Sequence, residues 1–236
     1  MGKRLFEAFR IIFKNAKIYL IFVLIMIGVT IGLIGLPNSF DESKIVLMLL
    51  MFVMVWLTSI YYTRQIYAKH KVRVRDGIFN APQPMVSTVV LLMVATVQCL
   101  PIAILIVAYS SAIETNFLAT TGYAIMFLIF AIAMIMLSMA LVTPTIIALV
   151  ATTAPGLYPI EALKTANDLV SGQRMRVIVN IVVGTVVAAV MCVAVVWPIS
   201  LVAPPQVVAG VTAAVGCFAT MYLAVYLYVY YRRLLK

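Results

Sequence analysis

The chain has 236 residues and a net charge of +10, yet only 10% of its residues are charged and 65% are hydrophobic. Soluble domains carry about 25% charged residues, so this chain cannot cover itself with polar groups and part of its solvent must be lipid. In a soluble protein the positive balance would suggest nucleic acid. Here base-reading motifs are absent and the cations cluster beside apolar runs, so no nucleic-acid partner is expected and the charge reads as topology and attraction to anionic headgroups.

Taken in order, residues 1–17 (MGKRLFEAFRIIFKNAK) form an amphipathic helix. The apolar run that follows ends in Leu36-Pro37-Asn38 with no A-x-A site, so it is not expected to be a cleaved signal. Phe6 stands where a myristoylated Gly2 would need Ser or Thr. A helix needs about 20 apolar residues to span a bilayer. Six stretches qualify: 18–36, 45–63, 85–113, 123–150, 177–202 and 207–231. Pro101 predicts a kink in the third and Pro144 a kink in the long fourth, while Pro204-Pro205 divide the last two. The expected architecture is all-α: a single polytopic transmembrane domain over 1–236 with six transmembrane helices and short amphipathic interfacial helices on the cytoplasmic side.

The segment 159–176 (PIEALKTANDLVSGQRMR) is the one charged interlude between the uncharged runs 115–160 and 177–231. As a helix over 159–172 it gathers Ile160, Leu163, Ala166 or Asn167, and Val170 on one face. Glu161, Lys164, Asp168 and Ser171 fall on the other, the pattern of a helix lying at a membrane surface. Charge sets the orientation. With six spans and both termini cytoplasmic, 16 of the 17 Lys and Arg lie inside, and Lys44 lies outside with Asp41, Glu42 and Glu114. Short loops follow such a bias closely. The expected location is therefore the cell (plasma or inner) membrane.

No ionisable side chain lies in the core of any expected span; the polar candidates are Thr30, Thr58, Ser59, Gln98, Ser138 and Asn180. Small residues four apart, Gly28 and Gly32, Gly184 and Ala188, Gly210 and Ala214, predict close helix packing. Tyr222, Tyr226 and Tyr230, followed by Arg232 and Arg233, predict an interfacial anchor. No metal or cofactor is expected. Cys99, Cys192 and Cys217 lie in apolar runs without a CxxC, and His70 is alone in a basic loop. Met134, Met136 and Met139 cannot converge from one helix. There is no GxSxG, HExxH or P-loop, and Glu161 and Asp168 flank Lys164 at the spacing of surface ion pairs. Enzymatic activity is not expected.

The run 159–176 resembles the segment G-P-x-E-A-L-x-x-S-W-x-L-x-x-G-x-x-W-R of the glycerophosphoryl diester phosphodiesterase membrane-domain superfamily, which includes YciC-like multi-pass proteins. Pro159, Glu161, Ala162, Leu163, Leu169, Gly172 and Arg176 match, whereas Tyr158, Ala166, Asn167 and Met175 depart. The resemblance implies a multi-pass helical module without the soluble catalytic domain of the hydrolytic members. The expected function is thus a lipid-interacting or scaffolding membrane module. Lys69, Lys71, Arg73, Arg75, Arg174 and Arg176 would contact anionic headgroups, and a membrane protein partner is compatible with it. The alternative is a small transporter for an apolar or lipidic substrate, which predicts a cavity lined by Gln98, Ser138 and Asn180.

Overall fold

The computed structural model describes residues 2–34, 41–69, 74–115, 119–154 and 156–235. These residues fold into helices with no strand among them: α1 (Gly2–Lys14), α2 (Ala16–Ile34), α3 (Asp41–Tyr67), α4 (Val74–Asn80), α5 (Met85–Gln98), α6 (Leu100–Glu114), α7 (Thr121–Ala151), α8 (Pro159–Val170), α9 (Arg174–Ser200) and α10 (Pro205–Leu234). Among the described residues five stretches are long and apolar enough to cross a membrane unaided: Ser43–Tyr67, Met85–Glu114, Thr121–Ala151, Arg174–Ser200 and Pro205–Leu234. The sixth expected span, 18–36, corresponds to α2, which leaves α1 through a bend of 83°. The protein is an all-α polytopic membrane protein. The polar stretch 37–44 between the first two expected spans lies partly outside the described residues, and from Asp41 onward it is already helix, the start of α3.

Contacts group the chain into two compact units. The first comprises Met1–Val86, Thr153–Pro155 and Asn180–Lys236. Its centre is α10, against which α1, α2 and α3 all pack. Tyr222, Tyr226 and Tyr230, expected as an interfacial anchor, are instead buried in this core. Their fourfold spacing gives α10 one aromatic face, which α1 meets at Tyr222 and α9 meets at Tyr226. The ring of Phe9 on α1 lies 4.7 Å from that of Tyr222. The Tyr226 hydroxyl donates to the backbone carbonyl of Asn180 at 3.0 Å.

The hydroxyl of Tyr222 is buried with no hydrogen-bond partner among the described residues. An unmet polar group in an apolar core is a net cost. Tyr222→Phe is therefore expected to leave the protein as stable as before or up to about 1 kcal/mol more stable. Tyr226→Phe, which strips a made bond, should lower stability by about 1 kcal/mol. Chemical unfolding in detergent micelles would rank the two, and equal losses would contradict the difference in their environments.

The second unit comprises Ser87–Thr152 and Gly156–Val179. Here α6 packs on α7, and α7 on α8. α7 runs unbroken through Pro144. α8 opens with Pro159 in its first turn and ends where Gly172 turns to φ +80°, the left-handed conformation that terminates helices without a side-chain penalty. Its buried stripe is Ala162, Ala166 and Val170. The expected face was centred differently, for Ile160 is 82% exposed. Small side chains at fourfold spacing let α8 lie close on α7, and the bulk of Ile160 is left outside that contact.

Candidate functional site

Three polar arrangements stand out against the apolar helices. The first gathers the amphipathic α1, the end of α3 and the end of α10. One carboxylate oxygen of Glu7 accepts the Tyr67 hydroxyl at 2.6 Å, and the other pairs with the Arg233 guanidinium at 2.7 Å. The Arg232 guanidinium lies 4.2 Å from the centre of the Tyr67 ring, within cation–π range. The carboxylate thus has a partner on each oxygen, and the tyrosine is held at both its edge and its face. Nearby on α3, Arg64 donates to the carbonyl of Thr153 at 2.8 Å. This cluster fastens helix ends; it holds a saturated acid and no free nucleophile.

The second arrangement lies at the join between α5 and α6. Pro101 has no N–H to offer the carbonyl of Val97, and the N–H of Ile102 turns to Cys99 at 3.0 Å. The carbonyl of Gln98 is met instead by the buried hydroxyl of Ser138 on α7 at 2.9 Å. Thr145, also buried, donates to the side-chain oxygen of Gln98 at 2.6 Å. Side-chain hydroxyls that satisfy backbone groups freed at a proline are what permits a broken helix within hydrocarbon. The helical bonding is interrupted at Cys99, two residues before Pro101, within the one apolar stretch Met85–Glu114, and the interruption is met from α7. Gln98 and Ser138 are therefore brought together. Asn180 belongs to the other unit, where its carbonyl serves Tyr226. Thr58 and Ser59 each donate to the carbonyl four residues back in their own helix, and the side chain of Thr30 lies outside the described residues. The groove found on α6 and α7 is lined by Ala108, Ser111, Ala112, Met126, Phe127 and their neighbours, not by Gln98 or Ser138.

The third arrangement is the set of cations at helix ends. Lys69 is exposed just past α3, with φ 59°, and Arg75 is exposed on α4, its guanidinium 5.8 Å from the Phe79 ring centre. Arg174 and Arg176 are exposed in the first turn of α9, and Arg174 donates to the Asn167 side chain at 3.0 Å. Lys71 and Arg73, with His70, lie outside the described residues. The small-residue pairs have unlike surroundings. A methyl group on Gly184 would meet the Tyr226 ring at 2.5 Å, and Ala188 one turn on is buried. Nothing lies within 4 Å of such a group on Gly28, Gly32 or Gly210. Ala214 is half-buried. Among the described residues no group of three His, Cys, Asp or Glu is placed to hold a metal ion.

No protein-family model, curated protein or solved structure matches the chain. What is defined is a class, the polytopic helical membrane proteins, reached from the helices themselves.

Proposed function

We propose that this protein is a non-enzymatic membrane module with six spans and both termini cytoplasmic, resident in the plasma or inner membrane, which holds anionic lipid along a basic cytoplasmic rim. The observation that carries the reading is the placing of exposed Lys69, Arg75, Arg174 and Arg176 at helix ends that flank apolar spans. Cations there meet the phosphate plane, each contributing about 1 kcal/mol of attraction beside an anionic leaflet.

Three side-chain bonds support the span count. Glu7–Tyr67 closes over α2 and α3, and Arg64–Thr153 over the α5–α6 span and α7. Glu7–Arg233 closes over the five long apolar stretches and over α2, here taken as the sixth span. Each bond joins helix ends that an even number of crossings separates, which returns the chain to the side it left. The excess of Lys and Arg names that side cytoplasmic. The lock of Gln98 by Ser138 and Thr145 favours this static role over transport, because the polar groups a substrate would need are already engaged with one another.

The test is lipid retention. The variant Lys69→Gln, Arg75→Gln, Arg174→Gln, Arg176→Gln is expected to keep about tenfold less phosphatidylglycerol through mild extraction than the unaltered protein. Retained phosphatidylcholine should not change. Mass spectrometry of the copurified lipid reads both. Undiminished retention of the anionic lipid would end the proposal.

A further inference from the structure

α1 presents two faces to two different surroundings. Ala8 and Ile12 are buried and Phe9 stacks on Tyr222, so this side belongs to the core built on α10. At about 100° per residue, Phe6, Arg10 and Phe13 share a second side, which borders the first where Phe13 stacks on Phe9 at 6.3 Å. Phe6 is 76% exposed and Phe13 is 67% exposed, and Arg10 and Lys14 are exposed beside them. Lys17, exposed as well, follows at the start of α2. Two largely exposed aromatic rings interleaved with cations are an unfavourable thing to show to water, even with one side of Phe13 against Phe9.

The one carboxylate of α1, Glu7, is absent from that face in effect. It is turned to Tyr67 and paired with Arg233, whose charge offsets its own. The exposed side is left with positive charge alone. Its direction is also set. α1 meets α2 at 83°, so with α2 crossing the bilayer α1 lies nearly in the plane of the leaflet. Phenylalanines seat below the headgroups in such a helix while Arg and Lys reach the phosphates.

We propose that the face of α1 formed by Phe6, Arg10, Phe13 and Lys14, with Lys17 beyond the bend, is a docking surface for the anionic leaflet next to α2. It rests on the membrane reading given above but concerns a different surface from the rim cations. The Glu7 contacts give it a second property: they hold α1 at a fixed roll, so the same face always meets the lipid. The chemistry selected is a negatively charged headgroup over an acyl boundary.

Depth measurement decides the matter. In a chain with Cys99, Cys192 and Cys217 replaced by alanine, Phe6→Cys and Phe13→Cys are each labelled with a nitroxide and reconstituted in phosphatidylcholine vesicles with and without phosphatidylglycerol. Ile106→Cys, on the exposed side of α6, supplies the bilayer control. With phosphatidylglycerol present, the labels at 6 and 13 are expected to collide more with oxygen than with an aqueous nickel complex. Arg10→Gln, Lys14→Gln, Lys17→Gln together should reverse that preference. Labels at 6 and 13 that stay open to nickel while Ile106→Cys is shielded would overturn this proposal alone. Nickel access at all three would overturn the membrane reading beneath it. Shielding that is the same without phosphatidylglycerol, or that spin–spin broadening traces to a second copy, would also overturn it.

Discussion

Leucine at position 184 is expected to destabilise the protein by about 3 kcal/mol or more, the upper part of the range for overpacked cores. Already a Cβ at Gly184 meets the ring of Tyr226 at 2.5 Å. That ring has no room to give. Tyr226 is fully buried, and its hydroxyl is bonded to Asn180, one turn before Gly184 on the same helix. The ring therefore lies across α9 from the carbonyl of Asn180 to the bare backbone of Gly184. A leucine must push it off both. Gly28→Leu and Gly210→Leu are the controls. Nothing lies within 4 Å of either site, so each should stay within about 0.5 kcal/mol of the parent, as exposed substitutions do. Thermal melting in a mild detergent separates the three. If all behave alike, the close approach of Tyr226 to Gly184 is wrong.

The second large effect is expected from Ser138→Ala combined with Thr145→Val. Together they remove both donors to Gln98, leaving a backbone carbonyl and an amide oxygen unmet in apolar surroundings. An abandoned buried acceptor costs about 1–3 kcal/mol, although interhelical hydrogen bonds in membranes average nearer 0.6 kcal/mol. The carbonyl at the break cannot recover a helical partner while Ile102 serves Cys99, which places the pair at about 2 kcal/mol. Pro101→Ala supplies the internal check. It restores an N–H for Val97 and lets α5 and α6 join as one helix, whereupon Ile102 can serve Gln98. The loss from Ser138→Ala should then shrink, a coupling that a double-mutant cycle measures directly. An unchanged loss would separate the serine from the proline.

The spans were legible because an apolar run long enough for a bilayer leaves the backbone one solution, a helix that satisfies itself. The long helices follow the apolar runs to within a few residues, and the break at Cys99 sits two residues before the proline that announced it. Packing partners were less legible. Gly28 with Gly32 and Gly184 with Ala188 share one spacing, yet only the second pair has a ring seated on it. Spacing says that a helix can be approached, not that it is. The tyrosines of α10 were misplaced for a related reason. An aromatic with a polar tip suits a headgroup belt and a helix core equally, and the neighbours that decide come from distant elements, Phe9 of α1 for Tyr222 and Asn180 and Gly184 of α9 for Tyr226. On α8 the face was misjudged because hydrophobicity ranks Ile160 above Ala162, whereas close approach to α7 favours the alanine. The Glu7 cluster was beyond reading. Its partners stand 60 and 226 positions away, and no local pattern relates them. The remaining trace was a lone acid in an otherwise basic amphipathic helix.

That separation of 226 positions governs the order of events during synthesis. α1 leaves the ribosome ahead of α10, but the surface it rests on is made by α10. Until α10 is inserted, Ala8, Ile12 and Phe9 have no seat and Glu7 lacks Arg233, so α1 must wait, held only by whatever the nascent chain or the membrane offers. Insertion of α10 is thus the moment at which α1 locks, and a chain arrested before Arg233 would carry α1 unlatched, a ready mark for quality control.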